Sequence, residues 1–325
     1  MNSNETKSDS SSYTPASVEG QEHERLTLVS SAQLQSIFGA DVDVFVTGLS
    51  ADPSTRTLFL SFYSVGAPRR GGVRTLAIDY IGGRSLDSTP PLTTSDAYIC
   101  PAGRGYGVCF ERATNTLLAC TFEDLDGRLG HWLVSLSRST STGVEQQQWT
   151  GEQWMELEPI CGDVRFAELG GGRVMFSESY STRLQVLLIS SDHQILEGRI
   201  VRVNDQFSTF DARNIGNETL VALTSKNGTH VRLCRLVADR TLQELSSIEL
   251  EDTWKVLWFG ERLLLAHFDS LTQFDSVLEV MQSGNALTRG PVLLNERNII
   301  KWCSAGNSIS IIDYVTQELF LYFMK

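Results

Sequence analysis

Phe210-Asp211-Ala212 through Leu236, Trp254-Lys255-Val256 through Val280, and Ile299-Ile300-Lys301 through Phe323 carry one pattern three times. Each segment has an apolar run, a tight glycine turn, a second apolar run, a short polar turn and a third apolar run. Gly216-Asn217-Glu218, Gly260-Glu261-Arg262 and Gly306-Asn307-Ser308 hold the same place in each. Self-similarity of this kind marks a repeat architecture, in which each unit buries its apolar faces against its neighbours. Apolar runs this short, bounded by turn residues, read as strands.

Three looser units precede these. One runs Asp163-Val164-Arg165-Phe166, turns at Gly170-Gly171-Gly172, and continues through Arg173 to Phe176 and Leu184 to Ile189. Another runs Gly107-Val108-Cys109-Phe110, turns at Ala113-Thr114-Asn115, and continues through Thr116 to Phe122 and His131 to Leu136. The first joins Val42 to Val46, a turn at Asp52-Pro53-Ser54, Thr57 to Phe62, and Val73 to Asp79. Second runs thus start at Thr57, Thr116, Arg173, Thr219, Arg262 and Ser308, 43 to 59 residues apart. Insertions rich in Gly, Pro, Ser and Gln at Pro90-Pro91, Pro101 to Gly105 and Ser137 to Gly151 account for the long spacings. Repeat proteins carry such insertions in loops.

A weaker fourth run closes most units, most clearly Ile200 to Val203, Leu245 to Leu250 and Val292 to Leu294. Four short antiparallel strands in about 40 to 50 residues make a propeller blade. The predicted fold is all-β: a β-propeller of six four-stranded blades, seven being the alternative count. A β-sandwich or two smaller β domains would also give many short strands, but not a turn at a constant place in each module. The last unit ends at Phe323-Met324-Lys325 without a fourth run, while Arg25 to Val29 stands alone at the other end. The N-terminal strand is expected to complete the last blade, because an unpaired sheet edge is a liability. Residues 1–23, rich in Ser, Asn, Glu and Thr, are expected to form a disordered tail, and residues 24–325 a single domain.

The units resemble distant propeller repeats of the WD40 or kelch kind across nearly all of residues 24 to 325. No Trp-Asp dipeptide closes a unit and no Gly-His pair opens one. Gly82-Gly83 and Gly170-Gly171-Gly172 lack the regular kelch partners. The resemblance is one of architecture and implies no specific family.

The 325 residues are 41% hydrophobic, ample for a sizeable core. A net charge of −12 does not present the broad basic field that phosphate backbones need, so no nucleic-acid partner is expected. The basic residues Arg69, Arg70, Arg74 and Arg84 read as a solvated loop. Six cysteines show no CxxC pair or zinc-type spacing and read as reduced core residues of an intracellular chain; a Cys109–Cys120 bridge across a hairpin is the minority alternative. The polar N-terminus carries no signal-peptide pattern and no run of about 18 apolar residues occurs, so cytoplasmic or nuclear localisation without membrane insertion is expected.

Chemistry-bearing residues are sparse. In a propeller the first strand of each blade lines the central channel, and here those strands carry Asp43, Arg165, Asp211, Arg213, Lys255 and Lys301. These channel-lining candidates form a mixed-sign ring. It suits either a small polar or anionic ligand or ion pairs between neighbouring blades. Few carboxylates and no His in these strands argue against a metal site, and no cofactor is expected. Asp124-Leu125-Asp126-Gly127 lacks the remaining ligands of a calcium loop and reads as a hairpin turn. No nucleophile elbow, P-loop or dinucleotide fingerprint is present. Trp149 and Trp154, in and just after the Ser137 to Gly151 insertion, are the partner-binding candidates, because no core obviously requires them. Trp254, Trp258, Trp302, Phe259 and Phe268 read as core between blades.

The sequence therefore points to a non-enzymatic interaction scaffold, a monomeric propeller holding a protein partner within a complex. The alternative is a hydrolase or lactonase-like enzyme at the channel mouth, which needs at least three inward carboxylates or histidines.

Overall fold

The computed structural model describes residues 26–39, 43–65, 70–77, 94–101, 103–138, 149–160, 162–269, 274–283 and 286–324. The expected tail, the Pro90-Pro91 insertion and most of the Ser137 to Gly151 insertion lie outside these residues.

The chain opens with β1 (Leu26–Gln33) and a single helical turn, α1 (Leu34–Phe38). One sheet follows: β2 (Val44–Asp52), β3 (Thr57–Ser64), β4 (Arg70–Ala77) and β5 (Thr94–Pro101). The next comprises β6 (Arg104–Glu111), β7 (Thr116–Leu125), β8 (Arg128–Arg138) and β9 (Trp149–Leu157). A seven-stranded sheet holds β10 (Val164–Gly170), β11 (Arg173–Glu178), β12 (Ser181–Ile189), β13 (Ile195–Ile215), β14 (Glu218–Ser225), β15 (His230–Val237) and β16 (Thr241–Glu249). Then come β17 (Thr253–Phe259), β18 (Arg262–Asp269), β19 (Phe274–Ser283) and β20 (Ala286–Arg297). The final sheet is β21 (Ile299–Ala305), β22 (Ser308–Asp313), β23 (Glu318–Met324) and, returning from the N-terminus, β1. All pairings are antiparallel.

The pairing of the two chain ends is present. Leu26 faces Met324 and Gln33 faces Glu318, with a bulge between Leu28 and Ser30. The seven-stranded sheet departs from the four-strand expectation. Residues 195–202 of β13 pair with β12 and residues 209–215 with β14, while Phe207 pairs with both, facing Ser181 and Ser225. The intervening Asn204-Asp205-Gln206 contains no Gly or Pro, so nothing forces a turn and the strand runs on.

Burial explains why the second runs are rich in apolar residues. The second strand of each set lies mid-sheet with both faces covered, and Ser308–Asp313 of β22 is buried at every residue. Such strands carry most of the apolar residues, as Leu263 to Ala266 of β18 does, with the occasional buried Ser or Thr among them. Fourth strands are half-solvated: β9 alternates between more and less exposed residues along its length. The repeated Gly216, Gly260 and Gly306 have φ of 60°, 63° and 59°, with open space around each Cβ position. Conformation rather than crowding selects glycine there.

Six apolar clusters hold the sheets together, each between consecutive sets of strands. One joins β2–β5 to β6–β9 through Phe59, Val73, Phe110, Leu117 and Trp149. Another joins the C-terminal sheet to β2–β4 through Leu319, Leu321, Leu58 and Leu60, with α1 packed over it. The remaining four couple the sets in chain order. First strands neighbour one another in a closed circuit: β2, β6, β10, the C-terminal half of β13, β17, β21, and back to β2. The architecture is all-β and propeller-like.

Candidate functional site in the channel

The circuit of first strands encloses a cavity of about 330 Å³. Every first strand contributes to its wall, including Ser50, Cys109, Arg165, Asp211, Trp258 and Ser304. Side chains tie these strands laterally. The backbone N–H of Phe110 donates to Ser50 Oγ at 2.9 Å, and Ser304 Oγ donates to the Trp258 carbonyl at 2.8 Å. Asn214 donates to the Leu169 carbonyl.

Ionic groups gather at two levels. At the end where first strands begin, Lys301 Nζ lies 2.8 Å from Asp163 Oδ2, with Arg165 3.8 Å from the same oxygen. Lys255 Nζ donates to the Ile299 carbonyl at 2.5 Å. The Lys301 side chain is only 3% exposed, whereas Asp163 faces water. Burial brings the Lys301 ammonium down to about 7, helped by the Arg165 charge and opposed by Asp163. Partial desolvation acts to raise the Asp163 carboxyl, but Lys301, Arg165 and Lys255 hold it below the ordinary range. Deeper in, Asp211 accepts from the backbone N–H of Trp258 at 2.6 Å and of Ala212 at 2.8 Å. Burial nevertheless raises its carboxyl to about 7, against those bonds and the Arg213 and Arg165 charges.

Where first strands end, Arg112 Nε lies 3.1 Å from Glu168 Oε2, and Arg213 lines the wall beside them. Burial raises the Glu168 carboxyl, opposed chiefly by Arg112. Cys109 and Cys303 also line the cavity. Burial pushes Cys303 up to about 12 and Cys109 well above its ordinary value, so these thiols stay protonated and unreactive.

Of the sequence candidates, Arg165, Asp211 and Arg213 line the cavity, while Lys255 and Lys301 sit at its strand-start end. Asp43 does not join them. It precedes β2 and is exposed, because the strand begins at Val44. Asp163, Arg112 and Glu168 were missed: Arg112 follows its first strand, Asp163 opens a first run whose weight fell on Arg165, and Glu168 lies within β10. Trp149 also requires correction. It is 7% exposed, stacks edge-on against Phe59 and Phe110, and lies under the Arg138 guanidinium at 5.1 Å. A core between the first two sheets does require it. Trp154 is 40% exposed, its indole 3.4 Å from the Tyr98 hydroxyl. Cys109 and Cys120 are both free and buried rather than bridged. Among the described residues no group of three His, Cys, Asp or Glu is placed to hold a metal, and the carboxylates lining the cavity are Glu168 and Asp211. No described helix is long and apolar enough to cross a membrane.

No protein-family model and no curated protein matches the chain. Solved structures do. A Lactobacillus plantarum protein solved by a structural genomics consortium superposes with a TM-score of 0.56 at 10% identity, over 86% of this chain and 80% of its own. Sqt1 from Chaetomium thermophilum gives 0.48 at 12% identity, over 92% and 75%. The neighbours are β-propeller-like, and the superposition on the Lactobacillus plantarum protein is a likeness of fold alone.

Proposed function

We propose that residues 24–325 form a single six-bladed β-propeller, the seven-stranded sheet being two blades sharing β13. It serves as a non-enzymatic platform for a protein partner. The observation that carries the binding role is the distribution of exposed apolar side chains. Second strands return to the end where first strands begin, and backbone hydrogen bonds mark that return. Val65 N–H donates to Asp43, Ser179 to Asp163, Phe268 to Asp252 and Tyr314 to Asn298. Around this face stand Phe45, Val65, Tyr180, Trp254 and Tyr314, with Leu129 at 69% and Val315 at 66% exposure. Exposed carboxylates at Asp43, Glu158, Asp205 and Glu249 lie among them. Apolar groups ringed by acids on a chain of charge −12 suit a partner that offers apolar side chains within a basic surface.

The test is affinity purification of the intact tagged chain from its source cells, beside a variant carrying Leu129→Ser, Tyr180→Ser and Tyr314→Ser. Ile200→Ser, exposed on an outer strand, is the control. A stoichiometric partner held by the intact chain and the control but lost from the triple variant supports the platform. Equal capture by all three, or none by the intact chain, removes it.

A further inference from the structure

We infer that the channel cavity binds a small anion bearing carboxylate or phosphate oxygens, held by the guanidinium groups of Arg165 and Arg213. A volume of about 330 Å³ suits a small molecule. Three arginines line it, Arg112, Arg165 and Arg213, against the carboxylates of Glu168 and Asp211. Glu168 is taken by Arg112. Both Asp211 oxygens already accept backbone N–H groups, and near neutrality much of this carboxyl is protonated. Arg165 and Arg213 therefore feel these carboxylates only through space and keep unused hydrogen-bond donors. Arg165 reaches Asp163 only at 3.8 Å, where Lys301 holds the same oxygen at 2.8 Å, and its buried Nε–H has no acceptor among the described residues. Arg213 makes no hydrogen bond or ion pair among the described residues.

Buried guanidinium N–H groups are ordinarily satisfied, and planar forks of this kind match carboxylate and phosphate geometry. Both groups line one cavity and both charges act on Asp211, so an oxyanion bound there would supply the missing acceptors. The inference is independent of the partner platform, because it concerns the channel interior rather than the rim.

Trp258 and Trp302 line the same cavity, so intrinsic fluorescence reports on it. The intact chain is titrated with inorganic phosphate and separately with succinate, against sodium chloride at matched ionic strength. Thermal shift is followed in parallel. A saturable change with phosphate, succinate or both, beyond the chloride control, is expected, and the stronger ligand names the class. Arg213→Gln, at a partly buried side chain without a close ion pair among the described residues, should weaken that binding by about tenfold or more while remaining folded. Arg165→Gln should do the same. No response beyond chloride, or a response unchanged in Arg213→Gln, overturns the inference.

Discussion

Lys301 Nζ lies 2.8 Å from the carboxylate of Asp163, a residue 138 positions earlier. Lys301 stands on β21 and Asp163 just before β10, and each lies three steps from the other around the circuit of first strands. The pair thus crosses the channel rather than joining neighbours. Asp163→Asn leaves a buried ammonium facing Arg165 and Lys255 without its carboxylate. Because Asp163 itself meets water, the expected loss is about 1–2 kcal/mol rather than the larger penalty of a fully buried pair. Urea denaturation measures it. Lys301→Met, which removes the buried charge instead, should cost less.

Two groups give opposite pH dependences. Asp211 shifts from 3.8 unfolded to about 7 folded, so between these values the folded chain keeps a proton the unfolded chain has lost. Its contribution to stability falls as pH rises through that window. Lys301 shifts from 10.5 to about 7, so above 7 the folded chain has released a proton the unfolded chain retains. Its contribution rises with pH from about 7 to 10.5. Denaturation across pH should show Asp211→Asn flattening the lower limb and Lys301→Met the upper. Unchanged slopes would reject both assignments.

Glu111 is fully buried at the end of β6 and links two sheets. Its Oε1 accepts from the N–H of Ala113 and of Gly172 in the next sheet, both at 3.1 Å, and its Oε2 from Thr114 N–H and Oγ. Glu111→Ala strands the buried Gly172 N–H and unties the turn. A loss of about 2–4 kcal/mol in chemical denaturation is expected.

Ring closure rests on β1. Leu26 packs with Tyr322 and Met324, and β1 covers the free edge of β23. Deleting residues 1–30 should lower the Tm sharply, while deleting 1–22 should leave it nearly unchanged. Equal effects would contradict the closure.

Much of this fold was legible because its turns are chemically marked. Gly216, Gly260 and Gly306 each supply a positive φ at the same point, and the doubly covered second strands concentrate apolar residues just after it. The junction inside β13 was not legible, since an extended Asn-Asp-Gln run has no signature distinguishing a turn from a continuing strand. Charges on first strands were visible in part: Arg165, Asp211 and Arg213 line the cavity, Lys255 and Lys301 stand at its strand-start end, and Glu168 on β10 went unread. Arg112 was not visible, because it occupies a connection whose position depends on the closed circuit, and nothing in the run Asp163 opens shows that its carboxylate meets Lys301. Trp149 was misplaced because its neighbours in sequence are polar, whereas its neighbours in space are Phe59 and Phe110. Trp149→Ala should accordingly cost about 3–5 kcal/mol as a core truncation, and Trp154→Ala under about 1 kcal/mol.

The most direct test of the platform reading is hydrogen–deuterium exchange on the chain alone and with its purified partner. Protection is predicted around Val65, Leu129, Tyr180 and the 314–317 turn, all at the end where first strands begin. Protection confined instead to the opposite turns, at 53–56, 112–115 and 216–217, would contradict it.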